Sequence, residues 1–394
     1  MTPQHHRITF RALAFTAALA LALSGSAFAK DKKKKDIEKP QAEPLLDTSK
    51  LVWPAPPDIA RIRYQSQLVG EKPEATPKKD ARKKHGWMDR LAGIEQNDVT
   101  APKPVRALAK PYGVATDSQG RIYVADSYVA AVFIFDEKTG AVEFIRNGVE
   151  AKFKDIIGVA VDDGDRVFVS DAGLHQISVF SKDRKLEAMF GSDELGRPSG
   201  MAIDNENRFL YVADVARERI AVFDADTLKF LRAVGGPAKE EADDSPATFA
   251  KPTNVAVDGD GNLYVADTLN SRIQMFDADG NFISMFGKAG DGPGFFARPK
   301  GIAVDADGHI WVADALQNRV QIFDREGHLL AFFGEPGKYP GQFGLPTGLC
   351  IDKQNRVVVS EQLKGRIQVF RYVTDAEAAA QKPQPKSPAA GGAQ

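Results

Sequence analysis

From about residue 110 to residue 372, short apolar runs alternate with turns rich in Gly, Asp and Asn, and the same order of runs recurs six times. Each copy opens with a short run ending in an acid: Gly113 to Asp117, Gly158 to Asp162, Gly200 to Asp204, Asn254 to Asp258, Gly301 to Asp305 and Gly348 to Asp352. A turn such as Ser118-Gln119-Gly120 or Ala306-Asp307-Gly308 follows, where Gly or Asn tolerates positive φ. The second run is more continuously apolar and again closes on an acid, as in Leu263-Tyr264-Val265-Ala266-Asp267 or Ile310 to Asp314. A third passes through pairs such as Val179-Phe180, Met275-Phe276 and Ile322-Phe323. The fourth ends in Phe190-Gly191, Val234-Gly235, Phe286-Gly287 or Phe333-Gly334. Runs this short, bounded by such turns, predict β-strands. Four of them per unit, at a period of roughly 45 residues, predict an all-β propeller with one blade per copy.

The sixth copy supplies three strands and then gives way to a polar tail after Tyr372. Closing the ring needs a fourth strand from elsewhere, because an empty outer position leaves an exposed sheet edge. The stretch Ile62 to Gly70 alternates apolar and polar residues and ends in a glycine, so it is predicted to complete the sixth blade. Its approach, Leu51-Val52-Trp53-Pro54-Ala55-Pro56-Pro57, is expected to pack extended along the outside, held straight by its prolines. Residues 71–109 are too long for an ordinary loop. They hold a basic stretch and then Trp87, Leu91 and Ile94 on one face of a short helix, which either docks on the propeller or binds a partner.

The repeated phrases Gly261-Asn262-Leu263-Tyr264-Val265-Ala266-Asp267 and Arg272-Ile273-Gln274-Met275-Phe276-Asp277, written again between Arg298 and Asp324, resemble the NHL repeat family. The resemblance covers about residues 110–372 and implies a six-bladed NHL-type propeller; with the leader described below, it implies an exported bacterial protein. In the stronger copies the acid ending strand two stands five residues before an arginine: Asp214 and Arg219, Asp267 and Arg272, Asp314 and Arg319, Glu361 and Arg366. Residues bracketing a tight turn at that spacing are read as structural clamps rather than catalytic groups, since a group needed once would not recur in every blade. In the first two copies Val132 and Gln176 are read in place of the arginine.

The ends carry different chemistry. Residues 1–29 read as a cleavable signal peptide, with Arg7 and Arg11 before the apolar run Ala12 to Leu23 and a small-x-small site at Ala27-Phe28-Ala29. A periplasmic or secreted protein is therefore expected, with no integral membrane segment after cleavage; a retained anchor is the alternative. Residues 30–50, with Lys32 to Lys35, and residues 374–394 are expected to be disordered, since neither has the apolar surface to offset ordering. The single cysteine, Cys350, excludes an internal disulfide and a cysteine-based zinc site. The chain has 52 basic and 53 acidic residues, and the leader takes two arginines and no acids with it. The remainder is thus slightly acidic, which argues against a dedicated nucleic-acid binder.

Propeller geometry brings two loop families to one pore mouth. The residues before the inner strands contribute Lys110, Tyr112, Arg197, Lys251, Arg298 and Lys300. The loops joining strands two and three contribute Tyr128, His175, Arg217, Asn270, Gln317 and Lys364. Such a rim is positive on a slightly acidic chain and suits anionic partners, although the same residues could simply close each blade. The connection Gly235 to Lys251, with Lys239-Glu240-Glu241 and Asp243-Asp244, adds an acidic flap. Among propeller enzymes the resemblance is greatest to peptide-amidating lyases, which imply several histidines, a tyrosine and an arginine around a zinc. Here His5 and His6 lie in the leader, His85 in the insertion, and His309 and His328 on the opposite face, so only His175 reaches the rim. Lactonase-like propellers imply axial carboxylates for calcium, whereas acids such as Asp258 and Asp305 sit where turns need them. No catalytic residue, metal site or cofactor is assigned. The expected function is that of a monomeric exported propeller binding a protein, peptide or other anionic partner at its mouth. The alternative is a metal-dependent lyase or hydrolase acting on a small anionic substrate.

Overall fold

The computed structural model describes residues 47–71, 106–240 and 245–381. The leader, most of the 30–50 linker, the body of the 71–109 insertion where a short helix is expected, residues 241–244 of the flap and the tail beyond 381 lie outside the described residues. Five four-stranded sheets and one five-stranded sheet follow one another in the order of the repeats. Blade 1 runs Pro111–Thr116, Ile122–Asp126, Ala131–Asp136 and Ala141–Arg146, and the later blades repeat this antiparallel order.

Burial explains the pattern. Second strands are covered on both faces by neighbouring blades, so Leu263–Asp267 and Ile310–Asp314 are buried at every position. Outer strands are covered on one face only and alternate, as Phe282–Phe286 does. The core is accordingly divided into six clusters, each shared by two adjacent blades. One of these joins Val358, Ile367 and Val369 of blade 6 to Val114, Ile122 and Phe133 of blade 1, so the ring is continuous.

The inner strands begin earlier than the repeat suggested, at Pro111, Ile156, Pro198, Pro252, Pro299 and Pro346. A register shift follows each of these first residues. Proline has no N–H to give to a ladder, so it is tolerated at a first position beside such a bulge. The residue facing Asp126 across the hairpin is Ala131, one position before the Val132 read from the sequence, while Gln176 does face Asp171.

The sixth blade takes its fourth strand from Ile62–Leu68, antiparallel to Arg366–Tyr372. Leu51 to Pro57 does more than lie alongside: Val52–Trp53 forms a fifth strand on Ile62 and Arg63. Trp53 packs 5.5 Å from Phe333 of blade 5 and 5.9 Å from Phe370 of blade 6.

The expected disorder of 374–394 fails at its start, because Asp375–Gln381 is a helix. Thr374 Oγ1 accepts the Glu377 N–H at 3.2 Å and Glu377 Oε2 accepts the Thr374 N–H at 2.9 Å, a reciprocal capping box. At the end of the supposed linker, Thr48–Lys50 is a 3-10 turn capped by Asp47.

Candidate functional site

The acid ending each second strand organises the mouth. Asp126, Asp171, Asp214, Asp267, Asp314 and Glu361 are fully buried. Each accepts N–H groups from the segment approaching its own inner strand, such as Ala109 and Lys110 on Asp126 and Ala297 and Arg298 on Asp314. The arginine clamps are uneven. Arg366 Nε lies 2.6 Å from Glu361 and Arg272 Nε 2.9 Å from Asp267, both buried, whereas Arg219 Nε stands 3.8 Å from Asp214. Arg319 faces Asp314 across the hairpin, but its guanidinium stacks on Phe332 at 5.3 Å.

Sequence reading missed a second device. Gln274, Gln321 and Gln368 are wholly buried, and each both accepts an N–H from and donates to a carbonyl of the preceding loop. Their recurrence two residues after Arg272, Arg319 and Arg366 was the available signal.

Above this scaffold, one residue from each blade lines a chamber of about 60 Å³ at the axis: Tyr112, Ile157, Ser199, Thr253, Lys300 and Thr347. It opens toward a channel of about 220 Å³ walled by the inner strands. The walls are close because a side chain is missing at key points. A Cβ on Gly158 would come within 2.3 Å of Ser199 O, and one on Gly348 within 2.1 Å of Tyr112 O.

The twelve rim residues expected from the sequence do not behave alike. Gln317 is buried and donates to Gly290 O and Phe295 O at 2.7 and 3.0 Å, so it is a loop brace and leaves the rim. Asn270 donates to Asp267 at 2.8 Å, and the His175 ring contacts Gly196 O. Arg197 pairs with Asp155 at 3.3 Å, Arg217 donates to Asp193 O at 3.0 Å, and Lys251 pairs with Glu218 at 2.8 Å. Among the described residues, by contrast, Lys110, Arg298, Lys300 and Lys364 form no ion pair. Lys110 and Lys300 both stand 5.7 Å over the Tyr112 ring. Burial, and then Arg298 and Lys110 nearby, lower the Lys300 pKa.

These unpaired cations belong to blades 1, 5 and 6, and large apolar residues share that side. Two positions past the strand-two acid stand Tyr128, Leu269, Leu316 and Leu363, exposed by 80%, 55%, 54% and 67%. Blades 2 and 3 have Gly173 and Ala216 there. A groove of about 370 Å³ between blades 6 and 1 is lined by Ala109, Lys110, Tyr128, Leu345, Gln362 and Leu363.

The candidate metal ligands lie in turns on the far face. Asp305, Asp307 and His309 approach one another, as do Asp324, Glu326 and His328. The acids of the first group are already engaged: Asp305 accepts from Trp311 Nε1 at 2.8 Å and Asp307 accepts from Tyr372 OH at 2.8 Å. The hydrogen bond to Asp305 raises the His309 pKa, with Asp375 and Asp307 adding to it. The stabilisation tied to this shift is complete below the ordinary value of 6.5 and is lost as pH climbs through the raised value. The melting temperature of wild type minus that of His309→Gln is therefore expected to shrink between about pH 5 and pH 8; a difference that grows over that range would contradict it. Among the described residues no helix is long and apolar enough to cross a membrane.

The fold has relatives. The family model of the NHL repeat matches residues 108–135, and that of the SMP-30/Gluconolactonase/LRE-like region matches residues 187–287 and 258–341. NHL repeat-containing protein 2 of Bos taurus is 28% identical over 224 residues, 53% of this chain and 27% of that protein. The chain is a six-bladed β-propeller that carries an NHL-repeat match. A probable peptidyl-alpha-hydroxyglycine alpha-amidating lyase of Caenorhabditis elegans is 36% identical to this propeller over 114 residues, 29% of the chain and 32% of that protein. The propeller thus spans about a third or less of these curated relatives. Among solved structures, a protein of unknown function from Bacteroides thetaiotaomicron superposes with a TM-score of 0.55 at 19% identity, covering 67% of this chain and 70% of its own. A gluconolactonase from Xanthomonas campestris superposes with a TM-score of 0.53 at 18% identity, covering 67% and 86%. At such identity the likeness to these two shows the fold alone.

Proposed function

We propose that this propeller is an exported binding protein that takes an acidic, partly apolar protein or peptide segment on the blade 4-5-6-1 side of its mouth. The observation carrying this reading is the division of the rim. Arg197, Arg217 and Lys251, on blades 3 and 4, are occupied by Asp155, Asp193 O and Glu218, while Lys110, Arg298, Lys300 and Lys364, on blades 1, 5 and 6, form no ion pair among the described residues and share their side with exposed Leu and Tyr. Unpaired charge beside exposed apolar side chains matches a segment that offers carboxylates and apolar anchors together. Export rests on the leader, and cleavage after Ala29 is part of the same proposal.

The test is selection of displayed random peptides on the purified protein. Enriched peptides are expected to combine Asp or Glu with Leu or Phe and to bind more weakly as salt rises. Reversing Lys110, Arg298 and Lys364 to Glu should weaken them by about tenfold or more, since exposed pairs contribute roughly 0.2–1 kcal/mol each and reversal adds repulsion. The melting temperature should hardly move. Enrichment of basic peptides, or affinity indifferent to the triple reversal, would refute the reading.

A second reading has one observation in its favour, the stretch shared with the amidating lyase together with the lactonase-like region match. It makes the propeller a metal-dependent lyase or hydrolase for a small anionic substrate. Stoichiometric zinc or calcium in the purified protein, with a turnover that chelation abolishes, would favour it.

A further inference from the structure

We infer that the chamber at the axis is a carboxylate subsite in which Lys300 receives a single carboxylate of the bound segment, from an acidic side chain or a chain terminus. The inference rests on the reading of the mouth just given and names what its centre recognises. At the position before the inner-strand glycine or asparagine, five blades place uncharged residues: Tyr112, Ile157, Ser199, Thr253 and Thr347. The fifth blade alone places a charge there, on Lys300. That ammonium is half-buried and stands over the Tyr112 ring, and the charges acting on it are those of Arg298 and Lys110, both of its own sign. A partly desolvated cation among cations, with no ion pair among the described residues, is unfavourable in the free protein, and an arriving anion relieves it.

The surroundings define which anion. A chamber of about 60 Å³ has room for a carboxylate and little beyond it. Its remaining polar side chains are the hydroxyls of Tyr112, Ser199, Thr253 and Thr347 and the amide of Asn254, whose Oδ1 accepts the Val255 N–H at 2.9 Å, and two of the hydroxyls are held by internal bonds. Thr253 Oγ1 lies 2.6 Å from Thr268 Oγ1, and Thr347 Oγ1 donates to Pro111 O at 3.2 Å. Lys300 is the one charged donor in this lining, and Lys110 and Arg298 stand outside it on the approach. The arrangement suits one carboxylate inserted along the axis while the rest of the segment lies across Leu316, Leu363 and Tyr128.

Competitive amine labelling of the full chain tests this at the residue itself. The protein is treated with trace acetic anhydride at constant ionic strength, and acetylation of Lys300, Lys110 and Lys364 is followed by mass spectrometry. Glutarate is expected to slow labelling of Lys300 saturably, by about fivefold or more, with Lys364 nearly unaffected, while neutral glutaramide does nothing. An apolar tetrapeptide with a free terminus, its amidated form, and an amidated form with one internal Glu separate the two sources of carboxylate. Protection by both acidic peptides but not by the neutral one is expected. Equal effects of glutarate and glutaramide, no protection by either, or sulfate protecting as well as glutarate would overturn the assignment. Leu316→Ser with Leu363→Ser should leave glutarate protection intact. If glutarate protects Lys300 but no selected peptide depends on the apolar and cationic arc, the proposed function fails and the subsite stands. If selected acidic peptides bind Lys300→Met as tightly as wild type, the subsite fails and the proposed function stands.

Discussion

Glu361→Ala is expected to destabilise the protein by about 3–5 kcal/mol, the cost of leaving one member of a buried ion pair without the other. Arg366 is almost inaccessible, and its Nε lies 2.6 Å from Glu361. Its remaining donors go to Gln67 Oε1 and to the carbonyls of Lys338, Tyr339 and Gln342, which hold the cation in place but do not neutralise it. The same substitution also strands the Gly344 N–H and one donor of Gln368. Asp314→Ala is expected to cost less, on the order of 2 kcal/mol, because it orphans N–H donors and no buried cation; Arg319 stacks on Phe332 instead. Urea unfolding of the two variants, with Asp267→Ala as a further member of the costly class, measures the difference. Equal losses at positions 361, 267 and 314 would show that the carboxylate's service to the mouth backbone dominates and that the clamp adds nothing.

This grading could not be read from the repeat. The acid and arginine recur at one spacing in four copies, but whether they meet depends on what lies outboard. In blades 4 and 6 the preceding loop offers Thr248 O or Gln342 O to the guanidinium and draws it inward. In blade 5 Phe332 offers a ring face. The blade count and the turn acids were legible because each depends on residues close in sequence. The closing strand was legible because alternation over Ile62 to Gly70 is a local signal, although its partner is about 300 residues away. The helix after Thr374 carried a local signal too, the Thr-x-x-Glu box, which an Ala-rich polar tail obscured. The division of the rim had no such signal. Lys110 and Lys251 each stand directly before an inner-strand proline, and only the folded arrangement gives Lys251 a partner in Glu218.

The charge reversals proposed for the mouth and the substitutions in the clamps thus probe different layers. Lys110, Arg298 and Lys364 are exposed and contribute little to folding, whereas the acids beneath them fix the backbone that presents them. A clamp variant that retains its fold should therefore lower binding by loosening the rim, with charge intact.

Ring closure gives the other large effect. Ile62→Ala is expected to cost about 2–5 kcal/mol, and Ile62→Asp to open the ring, because the side chain is fully buried in the cluster that joins blades 5 and 6. The strand it begins contributes more than its own burial. It holds Tyr64 5.6 Å from Phe370, carries Val52–Trp53 on its outer edge, and accepts the Val373 N–H at Arg61 O at 2.7 Å. Loss of its pairing uncovers the edge of Arg366–Tyr372, and an uncovered edge recruits another strand. In Ile62→Asp the vacant place can be filled by the same segment of a second molecule only if the substituted side chain is again buried, so exchange gives no relief and exposed edges should associate irregularly. Size-exclusion chromatography should show wild type and Ile62→Ala eluting alike at low temperature, and Ile62→Asp as polydisperse oligomers cut by protease near residue 373. A monodisperse, protease-resistant Ile62→Asp protein would mean that blade 6 holds with three strands, and that the ring is sealed by the cluster between blades 6 and 1 rather than by the borrowed strand.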